Sequence, residues 1–370
     1  MLNQTRSLIR AEAERLLSRF VDAGATQVEA AALQPAETLL DLYGEDIRAR
    51  AYVTHDPARG EMMLRPDFTV PVVQMHMREG AEPARYTYMG PVWRKQQPGS
   101  ARAPEYLQVG FELFARDDPA AADAEVFALF HEALAGCGLR AATGDLGILM
   151  AAVDGLDTLP RRKAALRRHI WRPARFRQLL DRYSGKRPVP PARAALLQVA
   201  QTADIDDLIA AAGPHVGLRS RDEIAERVSA LQLDAAAPPL SGEQVALLGA
   251  ILGLREKSPV ALAHLREIAR DMPAITSALD LMEARLSALS ERGVDVDALD
   301  FEGSYGRTTL EYYDGFVFGF YAEGRGDLPV IASGGRYDAL TGVLGHGRGI
   351  PAVGGVIRPE FIIALKEGQP

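Results

Sequence analysis

Arg94, Gln108 and Glu112 lie on either side of a short loop, in Tyr88-Met-Gly-Pro-Val-Trp-Arg-Lys-Gln-Gln-Pro98 and Glu105-Tyr-Leu-Gln-Val-Gly-Phe-Glu112. A guanidinium, an amide and a carboxylate on two paired strands can converge on one small zwitterionic ligand. Alternation sorts the second segment: Leu107, Val109, Phe111 and Leu113 point one way, Tyr106, Gln108, Gly110 and Glu112 the other. The first set reads as core. The second reads either as a binding surface or as the wet face of an antiparallel sheet.

Other candidates flank this pair. Leu64-Arg-Pro-Asp-Phe-Thr69 reads as a strand end running into a helix start, where Asp67 and Thr69 can both cap. Asp67 could equally meet a ligand's ammonium group. Tyr312 and Tyr313 sit in the aromatic run Leu310 to Tyr321, which reads as a strand, so one faces the core and only one a ligand. Gly334-Gly-Arg-Tyr-Asp338 reads as a permissive turn before a helix, where backbone approaches either packing or a ligand.

The elements that must position these residues follow from periodicity. Leu8, Ile9, Leu16, Leu17, Phe20 and Val21 recur with helical spacing, and Gly24 follows as a stop. Residues 51–54 and 61–64 form a hairpin around Asp-Pro and Gly60, and Phe68 to Met77 a buried helix. Strands over 85–94 and 105–115, a helix from Pro119 to Leu134 and an apolar strand from Ile148 to Val153 complete this part. From 155 to 295, Ala, Leu, Arg and Glu prevail at helical spacing, which predicts a helical insertion between core segments 1–154 and 296–370. Strand signals then return at 310–321, and Pro329 to Leu340 and Pro351 to Arg358 read as two more strands, each leading into a helix. Tight turns between strands favour an antiparallel sheet with helices packed on it, an α+β fold.

Composition narrows the function classes. With 370 residues, 47% hydrophobic, 25% charged and a net charge of -7, the chain has no global basic field for nucleic acid, although Arg161 to Arg177 is locally basic. The single Cys137 permits no internal disulfide and fits a reducing compartment. The N-terminus is unlike a signal peptide, and there is no run of roughly 18 apolar residues, so a cytoplasmic location is expected. The seven His show no metal spacing, so no metal is expected. Neither a dinucleotide fingerprint nor a P-loop is present, and no His pairs with a Ser or Cys in a nucleophile motif.

Taken in order, Leu64-Arg-Pro-Asp-Phe-Thr69, Gly90-Pro-Val-Trp-Arg-Lys95, Pro98, Gln108, Glu112, Leu310-Glu-Tyr-Tyr313 and Ser333-Gly-Gly-Arg-Tyr-Asp338 resemble the class II synthetase core of histidyl-tRNA synthetase. The resemblance implies a mainly antiparallel sheet flanked by helices. It also implies that Asp67, Thr69, Arg94, Gln108, Glu112 and Tyr312 or Tyr313 bind histidine. The ATP side departs from the family. Gln96 replaces the adenine-side Glu, Pro104 a loop Arg and Thr308 the catalytic Arg of the histidine-specific motif; Arg307 is its neighbour. Where motif 3 reads Gly-Leu-Glu-Arg, this chain has Arg358-Pro-Glu-Phe361. Each lost cation costs on the order of 3 kcal/mol of transition-state stabilisation.

A core that keeps the amino-acid side, loses the ATP side and ends at Pro370 without an anticodon-binding domain resembles the regulatory subunits of ATP phosphoribosyltransferase. That family implies no catalysis of its own, no cofactor and no tRNA. It implies a dimer of cores through a motif 1 region near Gln34 to Leu40, and a hetero-octamer with the short-form catalytic subunit. Histidine is the implied effector. Two alternatives stay open: a divergent ligase that still adenylates an amino acid, and a pseudo-synthetase scaffold for another partner.

Overall fold

A computed structural model describes residues 2–37, 49–96, 103–202, 204–214, 216–307 and 312–367. The chain divides into two compact units, residues 1–151 with 251–370 and residues 152–250.

The first unit is built on a nine-stranded sheet with the order β1-β5-β6-β12-β11-β10-β7-β9-β8. Next to its β1 edge is the hairpin of β5 (Ala84–Trp93) and β6 (Glu105–Phe114), antiparallel from Ala84↔Phe114 to Trp93↔Glu105. Then come β12 (Ala352–Ile357), β11 (Ala332–Arg336), β10 (Phe316–Ala322) and β7 (Leu139–Asp145), each antiparallel to its neighbour. Only the edges add parallel pairs: β1 (Thr26–Gln27) runs with β5, and β9 (Asp300–Glu302) with β7. β8 (Arg255–Lys257) closes the far edge. A three-stranded sheet, β2 (Leu33–Pro35), β4 (Gly60–Leu64) and β3 (Val53–Asp56), stands apart. Gly60, at φ 80, supplies the left-handed turn between β3 and β4 that the sequence required.

One face of the large sheet is the core. Val109, Phe111 and Leu113 of β6 join Phe316, Phe318 and Phe320 of β10 and Val353 and Ile357 of β12 in one buried cluster, with Leu107 packed at its margin. Phe20 of helix Leu2–Asp22 packs between Phe111 and Phe130, at 5.6 and 5.4 Å between ring centres. Each such buried ring stabilises the fold by roughly 1.5–3 kcal/mol. Helices Pro119–Ala133, Thr276–Glu291 and Pro359–Glu367 cover the same face.

The second unit is helical. Helices Pro160–Arg168 and Pro173–Tyr183 open on prolines, whose fixed φ suits a first turn. Helix Arg221–Ala236 opens on a capping box between Ser220 and Glu223. Its Asp234 accepts from Arg162 and Arg193, each at 2.6 Å.

Several expectations change. The insertion predicted to run to 295 stops at 250, because helices Ser258–Asp271 and Thr276–Glu291 belong to the sheet's unit. Buried Arg285 ties the latter helix to Asp123 and Asp145. The apolar run from Ile148 to Val153 is helical, within Leu146–Asp154, and the strand lies just before it as β7. Leu, Met and Ala are strong helix formers, and Asp145 Oδ1 accepts from the Gly147 N–H at the helix start. The strand predicted over 310–321 begins at Phe316. Gly334-Gly-Arg336 is strand, not turn; Gly334 is bare because a Cβ there would overlap the Gly354 carbonyl and the Phe318 ring. Among the described residues no helix is long and apolar enough to cross a membrane.

Candidate functional site

The other face of the sheet holds the polar candidates. Register places Gln108 opposite Gly90, Gly110 opposite Tyr88, and Glu112 between Tyr86 and Gly354. Glycines make this floor because larger residues already lie across it. A Cβ on Gly110 would overlap the Tyr88 ring, on Gly335 the Tyr313 ring, and on Gly354 the Glu112 carboxylate. Far from being a wet face, the surface is closed: Gln108, Glu112 and Tyr88 are all 0% exposed.

Glu112 is the hub. Its Oε1 accepts from Thr69 Oγ1 and Tyr88 Oη, both at 2.9 Å, and its Oε2 from Tyr337 Oη at 2.5 Å. Burial raises its carboxyl to about 7, even though the Tyr337, Tyr88 and Thr69 hydroxyls favour the charged form; nearby Asp67 adds to the rise. A carboxylate offers about four lone-pair positions, so one remains for a ligand. Phe68 holds the N-cap position of helix Thr69–Glu79, and Thr69 turns its hydroxyl to Glu112. Asp67 is 2% exposed.

Tyr312 and Tyr313 differ from expectation. Neither is on a strand, and both are buried, edge to face at 4.9 Å. Tyr312 also meets Tyr337 edge-on at 6.0 Å. Burial raises the Tyr313 hydroxyl well above its ordinary range, and Glu112 and Asp67 push it further, so it lies in the field of both carboxylates. Both tyrosines therefore belong to the cluster.

Positive charge collects at the opposite end. Arg94 follows β5, with its Nε donating to the Pro66 carbonyl at 2.8 Å, next to Asp67. Arg358 follows β12, donating to Ser333 Oγ and the Val330 carbonyl, each at 3.2 Å. Burial, and then the Arg94 charge, work against the Arg358 cation, which Tyr106 partly supports. Gln108 lies on the same face, and neither atom of its amide has a hydrogen-bond partner among the described residues. An orphaned buried amide costs about 1–3 kcal/mol, so a ligand that completes it gains that much.

All seven candidates thus gather on one floor, with Glu112 toward one end, Arg358 toward the other, and Asp67 within the field of Glu112 and beside the segment that holds Arg94. That field suits a zwitterion carrying a second protonatable group. Sequence reasoning gave no role to Tyr88, Tyr337 or Arg358. The signal for Tyr88 was its alternation with Gly90 on a strand opposite Gly110. On the ATP side, Phe361 packs against the core cluster, and Gln96 Nε2 donates to the Arg94 carbonyl at 3.0 Å. Arg307 is buried, whereas Thr308 lies outside the described residues, as does Leu40 of the motif 1 region. Among the described residues no group of three or more His, Cys, Asp or Glu is placed to hold a metal.

Comparison with known proteins agrees with this layout. The family model described as Histidyl-tRNA synthetase matches residues 1–233 and 220–362. An ATP phosphoribosyltransferase regulatory subunit of Agrobacterium fabrum is 33% identical over 92% of this chain and 93% of that protein. The protein of the same name from Mesorhizobium japonicum is 33% identical over 93% of this chain and 94% of its own. Among solved structures, a Histidine--tRNA ligase subunit from Alicyclobacillus acidocaldarius is 26% identical with TM-score 0.59, covering 98% of this chain and 94% of that one. An ATP phosphoribosyltransferase regulatory subunit/histidyl-tRNA synthetase from Bacillus halodurans, 21% identical, shares the fold at TM-score 0.68 over 97% of this chain and 79% of that one. The chain belongs to the ATP phosphoribosyltransferase regulatory subunits, a family built on the histidyl-tRNA synthetase core.

Proposed function

We propose that this chain is the non-catalytic regulatory subunit of ATP phosphoribosyltransferase, that it assembles with the catalytic subunit, and that its synthetase-like pocket binds histidine as the feedback effector. The observation that carries the histidine assignment is the polarity of the closed floor. In this reading Glu112, with Asp67 in its field, meets the protonatable groups of the ligand and Arg94 its carboxylate, and support comes from the unpartnered Gln108 amide, which awaits a donor and an acceptor. By linkage, histidine biases whichever quaternary arrangement binds it more tightly, and the catalytic subunit's substrates alter histidine affinity in return.

Reconstitution tests this reading. Mixed with a short-form catalytic subunit, the chain is expected to restore ATP phosphoribosyltransferase activity, and histidine to suppress it. Restored activity that histidine leaves unchanged would remove the effector role. The synthetase alternative draws on the retained Arg94. It predicts histidine-dependent ATP–pyrophosphate exchange by the chain alone, whereas Phe361, packed in the core, leaves no cation at its position. Exchange above background would overturn the non-catalytic reading.

A further inference from the structure

Arg358 has no part in the seven-residue pocket, yet it is built into the same floor. The β12–β6 register pairs Gly354 with Glu112, Val356 with Gly110 and Ile357 with Val109, so the next residue, Arg358, comes up beside Gln108. Its backbone N–H donates to the Ile331 carbonyl at 2.9 Å, which carries the β11–β12 ladder one residue past the strand end and fixes where the side chain starts. Alternation then puts Arg358 on the face of Val356 and Gly354, the face that Glu112 shares.

The guanidinium is held but not neutralised. Its side-chain acceptors are neutral, the Ser333 hydroxyl and the Val330 carbonyl. It makes no ion pair among the described residues; a second cation, Arg94, opposes it, while Tyr106, Glu360 and Tyr313 favour it only through space, without a hydrogen bond to it. Glu360, two residues on, leaves both carboxyl oxygens without a hydrogen-bond partner among the described residues. A partly buried cation beside another cation is costly unless an anion joins them. Next to both lies the orphaned Gln108 amide, buried and unpartnered, which is the second sign that a ligand completes this end.

We propose that Arg358 is a specificity-determining residue of the amino-acid pocket, which with Arg94 and Gln108 seats the free carboxylate of the ligand. The inference rests on the pocket reading above and extends it. The spacing fits: from Gln108 to Glu112 the strand rises about 13 Å, and a hydrogen bond at each end leaves about 7 Å for the ligand. That is about the reach of histidine from carboxylate to ring nitrogen. A free carboxylate divides its charge between two oxygens and can accept from two guanidinium groups at once. An amino acid whose carboxylate is blocked or reduced cannot. The seat therefore selects the free amino acid.

Calorimetric titration of the full chain, alone and with its catalytic partner, separates the possibilities, using L-histidine and L-histidinol, in which an alcohol replaces the carboxylate. Wild type is expected to prefer histidine by at least about tenfold. Arg358→Ala is expected to weaken histidine by about 10- to 100-fold and leave histidinol within about threefold. Arg358→Lys keeps a charge but not the fork, and is expected to fall between them. Equal losses for both ligands, or none, would overturn the proposal. If Arg358→Ala fails to fold, wild type and Arg358→Lys decide it: absent discrimination in wild type, or unchanged discrimination in the lysine variant, sinks the idea. Inorganic phosphate that displaces histidine while histidine and histidinol bind alike would reassign the seat to a phosphate. Failure of wild type to bind histidine at all would overturn the pocket reading itself. Histidine binding that Glu112→Gln weakens but Arg358→Ala spares would overturn only the role of Arg358.

Discussion

Two buried polar clusters lie on opposite faces of one sheet, and they are built to different standards. On the core face, Asp123 accepts from Arg285 at 3.1 Å and from Arg336 at 2.7 Å, Arg285 also donates to Asp145 at 2.5 Å, and Arg336 to Asp338 at 3.0 Å. Arg285, Asp123 and Arg336 have 3%, 0% and 5% of their side chains exposed, and each charge meets an opposite one. On the pocket face the carboxylate of Glu112 has only hydroxyl partners, Arg358 rests on neutral acceptors, and the Gln108 amide has none among the described residues. The two clusters are alike in burial, so burial alone does not distinguish framework from site. Satisfaction does: the core-face network is complete without a ligand, and the pocket face is not.

The contrast makes the core-face network the place where substitution is most damaging. Arg285→Met leaves Asp145 and one oxygen of Asp123 without their cation and is expected to cost about 3–5 kcal/mol of stability. Histidine affinity of the folded fraction should not change. Chemical denaturation and calorimetry on the same samples read both; a loss under about 1 kcal/mol would show that the network is no more structural than the pocket.

A smaller effect, with a pH signature, belongs to Glu112. Its carboxyl titrates near 7 in the folded chain against an ordinary 4.5, because burial favours the neutral form. The folded state therefore holds this proton more tightly than the unfolded state. Its stability contribution is fully present below pH 4.5 and is lost as pH rises to about 7, on the order of 3 kcal/mol across that window. Glu112→Gln, neutral at every pH, is expected to match wild type near pH 4.5 and to be the more stable at pH 8. Part of the slope should survive, since burial also raises Asp314 and Glu360 to about 7. Melting curves from pH 4.5 to 8 that stay parallel for the two proteins would place the titration elsewhere.

How much of this was legible before the fold was known follows the range of each interaction. Alternation along Leu107 to Leu113 assigned both faces of β6 correctly, because side-chain direction on a strand is local. It could not say that the polar face was closed, since closure comes from Tyr337, 225 residues beyond Glu112. Arg285 sat in a stretch of plain helical periodicity, and its partners Asp123 and Asp145 are 162 and 140 residues away. Ile148 to Val153 was misread for another reason: a short apolar run has no period to separate strand from helix. Thr69 and Glu112 were both named from motifs, and only the fold joined them at 2.9 Å.

The smallest stability effect is expected at Gln108, and its sign is what matters. A buried amide without partners is a cost the folded chain bears in the absence of ligand. Leucine fills a similar volume without polar atoms, so Gln108→Leu should leave stability unchanged or raise it by about 1 kcal/mol. The same change should weaken histidine by about tenfold or more, because the ligand loses the amide donor and acceptor. A framework residue behaves the other way, as Arg285 should, with stability falling and affinity of the folded fraction intact. Were Gln108→Leu to destabilise the chain by more than about 1 kcal/mol while histidine bound as before, Gln108 would belong with Arg285, and the division between the two faces would fail at the residue that defines it.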